Sequence, residues 1–230
     1  MDIDFRKQID EHRASGAAVT ISLSTTDNPT EVGIVGLDDD GNVTKFKEKP
    51  KPEEVFSNVL NTGVYVINKK VLQYIPKDTM YDISKELFPF IMEKGYKIHG
   101  YKEPGHWMDV GRPKDYLEAN LMTAKKRFPK KDWSAQAVDT IVTGRSYFGE
   151  GSKAQTCMIR SGVILENCTI SNCKIRDSLF LPNCEADGAI VENSIIGRGC
   201  KLGKRCKIVD SVLADNTVVE EGKTLENFKG

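Results

Sequence analysis

The 230-residue sequence has no excess of either charge: 33 Lys and Arg stand against 33 Asp and Glu. That balance provides no basic field for a nucleic-acid backbone and no long block of like charge. No apolar run approaches the ~20 residues of a membrane-spanning helix. The opening Met1-Asp2-Ile3-Asp4 is acidic and short of hydrophobics, unlike a secretory leader, so a cytoplasmic protein is expected. Cysteine is absent until Cys157, and Cys157, Cys168, Cys173, Cys184, Cys200 and Cys206 form no C-x-x-C pair. The pattern argues against a zinc site or a disulfide framework and for reduced, packed thiols. Histidine is absent after His106. His12, His99 and His106 are scattered, with no evident nucleophile or metal partner, and are expected on the surface or satisfied in a core.

What is present divides into two halves. Residues 3 to 15 read as a helix with Ile3, Phe5 and Ile9 as its apolar positions and Gly16 at its stop. Ala17 to Thr25 alternates as a strand and is broken by Asp27-Asn28-Pro29. Val32 to Leu37 and Val43 to Phe46 flank Asp40-Gly41, a hairpin signal of the type I′ kind. Gly63 to Ile67 reads as a short strand. Tyr81 to Lys94 reads as a helix that Pro89 must kink or interrupt. A strand is expected over Tyr96 to Tyr101, and a helix over Pro113 to Lys126 with Pro113 in its first turn. Phe128 to Trp133, with Pro129 and lysines, reads as a linker.

Beyond the linker the pattern changes. Ile164 and Ile170, then Ile190, Ile196, Leu202 and Ile208, recur every six residues. Cys168, Cys184 and Cys200 are 16 apart, as are Asn167, Asn183 and Gly199. Aliphatic residues every five or six positions, separated by small and polar ones, mark a parallel β-helix with one coil per 16-residue repeat. An antiparallel sandwich would not keep register at a fixed period. About five coils are expected over residues 139 to 222, with Ile190, Ile196, Leu202 and Ile208 inside and the three spaced cysteines on equivalent faces.

Three motifs in the first half carry chemistry. They are Phe46-Lys47-Glu48-Lys49-Pro50, Asn61-Thr62-Gly63 and Trp107-Met108-Asp109-Val110-Gly111-Arg112-Pro113. A carboxylate such as Glu48 can accept two sugar hydroxyls, and the adjacent ammonium of Lys49 suits a phosphate as a point charge. On their own, the first motif also fits a solvated charge pair beside a hairpin, and the second a turn entering a strand. Asp109 lies too far ahead of Pro113 to cap the helix. In this order the motifs resemble the second half of the catalytic domain of sugar-1-phosphate nucleotidyltransferases, whose members often carry a C-terminal left-handed β-helix. The resemblance covers almost the whole chain.

The resemblance implies an α/β fold: the second half of a Rossmann-like nucleotidyltransferase domain over residues 1–126, a linker over 127–138, a left-handed β-helix over 139–222 and a tail over 223–230. It implies that Glu48, Lys49, Asn61, Gly63 and Gly33 bind the sugar phosphate, and that Lys49 and Asp109 are catalytic. Asp109 would be one of two Mg²⁺ ligands, the other lying in the first half. Trp107 would pack beneath the site, while Asp115 and Tyr116 would be structural. The family commonly has Tyr before its glycine where this chain has Val32, which leaves the sugar open. Mannose 1-phosphate with GTP, or glucose 1-phosphate with UTP, TTP or ATP, are the candidate pairs.

The family's Gly-rich loop, G-x-G-x-R-L, does not occur in these 230 residues. The chain is therefore expected to start in the middle of the family domain and to be inactive without a complementing nucleotide-binding half. The alternative is a non-catalytic assembly or regulatory subunit. Glu48, Lys49, Asn61 and Asp109 are expected to converge on one cleft. A partial sheet with an open edge predicts a homo-oligomer. Acyltransferases built on similar coils generally use a His near them, and none follows His106.

Overall fold

A computed structural model describes residues 4–102, 107–128, 132–133 and 136–230. Ile3, His106 and residues 129–131 and 134–135 of the expected linker lie outside the described residues. The chain forms two compact units, residues 1–107 and 108–230.

The first unit is a five-stranded sheet. Its strands are β1 (Val19–Thr25), β2 (Gly33–Leu37), β3 (Val43–Glu48), β4 (Val59–Ile67) and β5 (Ile98–Lys102), in the order β3-β2-β4-β1-β5. Only β1 and β5 run parallel; the β2–β3, β2–β4 and β1–β4 pairs are antiparallel. Alternation along β1 separates the two faces. Val19, Ile21 and Leu23 join Val35, Leu87, Phe88, Ile91 and Ile98 in the apolar core, while Thr20 and Ser22 are buried on the other face.

Helix α1 (Phe5–Ser15) starts at Asp4, whose carboxylate accepts from the backbone N–H of Arg6 and Lys7. Its orientation differs from the expected one. Phe5 and Ile9 are exposed, and Gln8 is the buried residue. Thr20, Ser22 and His99 make the sheet face polar there, so α1 turns its own polar residues inward. His12 Nδ1 lies 2.9 Å from Thr20 Oγ1, and His99 Nε2 lies 3.2 Å from Glu11.

Two local expectations are revised. Asp40-Gly41 does not form a two-residue turn. The β2–β3 loop is longer because the Asp38 carboxylate accepts from the Asp40 and Asn42 backbone and from the Asn42 amide, closing it as an Asx-type cap. The helix read over 81–94 opens as a π-helical segment, Ile83–Leu87, and continues as α2 (Phe88–Glu93). Pro89 has no N–H to donate, and widening the preceding turn accommodates it without a break.

The second unit joins helix α3 (Pro113–Arg127) to a parallel β-helix. One wall has six strands, from Ala137–Val138 through Lys153–Gln155, Thr169–Ser171, Glu185–Asp187 and Lys201–Leu202 to Val218–Val219. The solenoid thus has about six turns rather than five. Residues read as a tail take part in it, since Thr224–Glu226 pairs with Lys207–Val209. The inward residues show how 16 residues close a coil: Ile164, Ile170, Ile175 and Phe180 are all buried, at steps of six, five and five. Ile196, Leu202 and Ile208 point inward as expected, but Ile190 is 36% exposed and Val191 is fully buried in its place. A ladder of six throughout runs one residue out of phase at a five-residue step.

The corners explain the other periodic residues. Asn167, Asn183 and Gly199 have φ of 56, 65 and 68°, the left-handed conformation that Asn and Gly tolerate best. The next residue in each case, Cys168, Cys184 and Cys200, turns its thiol into the corner. Cys184 donates to the carbonyl of Gly197 at 3.0 Å, and Cys168 to that of Leu181 at 3.3 Å. Ser178, Ser194 and Ser211 line another corner, where each hydroxyl accepts from a backbone N–H one coil on. All six cysteines are buried and free. Burial pushes the thiols of Cys200 and Cys206 up in pKa.

Helix α3 covers the solenoid's third wall. Its Leu117, Leu121 and Ala124 pack on the outward side chains of Val163, Leu179 and Ile195. A helix placed by sequence with the α/β half therefore belongs to the compact unit of the coils. Trp133 is also buried, against Tyr147, Phe148 and Phe128 at the first coil.

Candidate functional site

The β2–β3 hairpin places Glu48 directly opposite Gly33. The β2–β4 pair, Ile34 with Leu60, brings Gly33 beside Asn61 one position further, and Asn61 stands opposite Leu23 of β1. Glu48, Gly33 and Asn61 thus form one row across three adjacent strands. They lie on the face that carries Phe46, Val35 and Leu23. The row takes in the last residue of β3 and the first of β2, and it is level with Leu23 of β1 and Lys102 of β5.

Gly33 has a specific reason to be glycine. A Cβ there would stand 2.5 Å from Oε2 of Glu48 and 3.0 Å from the Phe46 ring. The missing side chain is thus the space in which the Glu48 carboxylate lies. Lys49 follows in a left-handed conformation, φ 43°, with its N–H bonded to the carbonyl of Val32 at 3.1 Å. That conformation is strained for a residue with a Cβ and turns the chain sharply after Glu48. The surrounding lysines are engaged: Lys47 pairs with Glu54 at 3.2 Å, and Lys45 lies over the Phe56 ring. Among the described residues no ion pair engages Glu48 or Lys49.

Strand β4 bulges where Asn61-Thr62-Gly63 occurs. Leu23 pairs with Asn61 and Ile21 with Tyr65, so Thr62, Gly63 and Val64 together oppose Ser22. Two contacts hold the bulge. The Thr62 hydroxyl donates to the carbonyl of Ser22 at 2.8 Å, and the Trp107 indole N–H donates to the carbonyl of Thr62 at 3.1 Å. Trp107 is therefore a hydrogen-bonding support of the bulge. Gly63 has φ 80°, and a Cβ built on it would meet nothing within 4 Å, so the backbone there is open to a ligand.

The Asn61 side chain is oriented by its neighbours. Its carbonyl oxygen accepts from the N–H of Gly63 at 3.0 Å. Its amide donates to the hydroxyls of Tyr65 at 2.9 Å and Ser84 at 3.3 Å, which are 3.1 Å apart. Tyr65 and Ser84 were not among the sequence candidates. Ser84 comes from the π-helical segment, 23 residues away, and no local motif marks that contact.

Asp109 belongs to the second unit. It is exposed in the segment before α3, close to Gly111, where a built Cβ would lie 3.5 Å from its Oδ2. It does not cap α3, whose N-cap position is Arg112. Arg112 Nε instead donates to Asp115 at 3.1 Å, giving Asp115 a structural role. Among the described residues no three His, Cys, Asp or Glu side chains cluster as a metal cage. A single exposed carboxylate fits Mg²⁺ held chiefly by substrate phosphate oxygens, the usual mode for that ion.

The chain is similar to known proteins along almost its whole length. Residues 144–227 match the model of the GlmU-like C-terminal hexapeptide, in keeping with a left-handed β-helix. A UTP–glucose-1-phosphate uridylyltransferase of Synechocystis sp. is 26% identical over 96% of this chain and 58% of its own length. A probable mannose-1-phosphate guanylyltransferase 2 of Arabidopsis thaliana is 29% identical over 95% of this chain and 60% of its own. A glucose-1-phosphate adenylyltransferase of Bacillus thuringiensis is 26% identical over 99% of this chain and 61% of its own. The chain thus spans about three fifths of the length of these curated relatives. Residues 1–126, more than half of the chain, match the family model for nucleotidyl transferase, and the chain belongs to that family.

Proposed function

We propose that this chain supplies the sugar-phosphate side of a sugar-1-phosphate nucleotidyltransferase, which makes an NDP-sugar and pyrophosphate from an NTP and a sugar 1-phosphate. The observation that carries the reading is the row Glu48–Gly33–Asn61 with Lys49, which no ion pair engages among the described residues, at its end. Glu48 accepts ring hydroxyls. Lys49 holds the phosphate as a point charge. Gly63 leaves its backbone open to the sugar. With the sugar phosphate so held, its oxygen attacks the α-phosphate of the NTP in line, forming one P–O bond as the bond to pyrophosphate breaks. Positioning and charge neutralisation do most of the catalytic work in such a transfer.

Asp109 is the residue that would hold Mg²⁺, which when bound neutralises phosphate charge. The phosphate cradle of oriented backbone N–H groups is expected from residues outside these 230, in the same polypeptide or another. The relatives' names suggest glucose 1-phosphate with UTP or ATP, and mannose 1-phosphate with GTP, as the pairs to try. Association of copies through the solenoid or the open sheet belongs with this reading and is read by sedimentation across the micromolar range.

The test is pyrophosphate release from those pairs. The 230-residue chain alone should be silent. Adding a polypeptide with the Gly-rich loop should give turnover, and Asp109→Asn should then lower it by about a hundredfold or more, as loss of several kcal/mol of charge stabilisation implies. Strong release by the chain alone, or an Asp109→Asn variant as active as the parent, would contradict the assignment. Sugar-phosphate binding without any turnover in the combined system would favour a non-catalytic assembly or regulatory role.

A further inference from the structure

We propose that Ser84 and Tyr65 are positioning residues that lock the Asn61 amide, so that the row beside Gly33 offers a ligand only hydrogen-bond acceptors. The inference rests on the sugar-phosphate reading of this site and specifies what the site selects.

An asparagine side chain has two N–H donors and one carbonyl oxygen with two lone pairs. Both Asn61 donors are committed, to Tyr65 at 2.9 Å and to Ser84 at 3.3 Å. One lone pair of its oxygen takes the N–H of Gly63 at 3.0 Å. What Asn61 retains for a ligand is one acceptor position. Its neighbour in the row, Glu48, is acceptor-only when ionised. The two groups flank Gly33, which brings no side chain of its own. A ligand atom at this row must therefore donate, as a free ring hydroxyl does. A fluorine in its place cannot donate.

The lock depends on residues from two elements. Tyr65 lies on β4 beyond the bulge, opposite Ile21. Ser84 lies in the π-helical segment, held by the Asp82 carboxylate, which accepts from the Ser84 N–H at 2.9 Å and the Lys85 N–H at 3.0 Å. The two hydroxyls are 3.1 Å apart, so one donates to the other while each accepts from Asn61. Removing the Ser84 hydroxyl frees an Asn61 proton and leaves the amide held by Tyr65 and the Gly63 N–H alone, so its oxygen is presented to the row less firmly. The side chain is only half-buried, so packing alone does not hold the amide.

The experiment has two readouts on the full 230-residue chain. First, the side-chain amide protons of Asn61 are followed by NMR without ligand. They should exchange slowly in the parent and Ser84→Thr proteins and quickly in Ser84→Ala. Second, binding of glucose 1-phosphate, mannose 1-phosphate and their ring-fluorinated analogues is measured by calorimetry. The parent should prefer the hydroxylated ester of the pair it binds. Ser84→Ala should bind that ester about tenfold more weakly and lose most of the discrimination, as loss of an oriented hydrogen bond implies. Ser84→Thr should restore both. A Ser84→Ala protein that binds and discriminates like the parent overturns the positioning role and leaves the sugar site standing. A parent protein that binds neither ester overturns the sugar-site reading itself, and this role with it.

Discussion

Gly33 and Glu48 face each other across the hairpin so closely that one added methyl group on Gly33 would come within 2.5 Å of the Glu48 carboxylate. The family resemblance implies that this glycine helps to bind the sugar phosphate. The geometry gives it an earlier task, which is to leave room for the carboxylate. Gly33→Ala should therefore displace Glu48 and weaken hexose 1-phosphate binding by about tenfold, in the range expected for one charge-assisted hydrogen bond. The Glu48 carboxylate is the end of a flexible side chain, but the core-packed Phe46 ring at 3.0 Å must also give, so the melting temperature should fall modestly. Calorimetric titration beside a thermal melt checks both. Undiminished binding by Gly33→Ala would contradict the role.

Lys49 combines a functional charge with a strained backbone, φ 43°. The two contributions separate by substitution. Lys49→Ala removes the ammonium and keeps the strain, so binding should weaken with little change in stability. Lys49→Gly removes both. It should bind as poorly as Lys49→Ala yet match or exceed the parent's stability by up to about 1 kcal/mol, since left-handed strain of about 1–3 kcal/mol is relieved against the chain entropy of glycine. Denaturant unfolding of the two variants reads the difference. A Lys49→Gly protein clearly less stable than Lys49→Ala would show that the backbone is not strained there.

The buried thiols give the solenoid a defined response to alkali. Burial raises the pKa of Cys200 and Cys206 in the folded state. Their contribution is fully present below the unfolded thiol value of about 8.5 and is lost as pH rises through the raised folded value. Denaturant midpoints should therefore hold near pH 7 and fall above about pH 9. Cys200→Ser should remove part of that slope, because a serine hydroxyl does not ionise there. An unchanged slope in Cys200→Ser and Cys206→Ser would contradict this origin.

The solenoid's register predicts opposite outcomes for adjacent residues. Val191 is fully buried and Ile190 is 36% exposed. Ile190→Lys should change stability by no more than about 0.5 kcal/mol. Val191→Ala should cost about 1–3 kcal/mol through lost burial and a cavity. Urea unfolding distinguishes them, and a large loss for Ile190→Lys would contradict the outward position of that side chain.

This pair of residues also shows what was legible in the sequence. The 16-residue period of Asn167, Asn183 and Gly199 was visible because every corner needs a left-handed residue. The phase within a coil was less visible, because Ile190 and Val191 are both aliphatic and only stacking decides which turns inward. Glu48, Lys49, Asn61 and Gly63 were legible as site candidates because contiguous motifs carry them. Tyr65 was not singled out, and Ser84 could not be, since its bond to Asn61 joins two elements 23 residues apart. Phe5 and Ile9 misdirected the reading of α1 because the helix amphipathicity was read without the sheet beneath it. That sheet face presents Thr20, Ser22 and His99, and it draws in Gln8 and His12 instead.

The claim that this chain carries the sugar-phosphate side of the reaction is tested most directly by titrating the nitrogen-15-labelled 230-residue protein with glucose 1-phosphate and mannose 1-phosphate, without nucleotide. The account predicts saturable shifts of backbone amides concentrated at Gly33, Glu48, Lys49, Asn61 and Gly63 for at least one ester, abolished or strongly weakened by Lys49→Ala. Absence of any saturable shift at these residues, or saturable shifts confined to the solenoid, would contradict it.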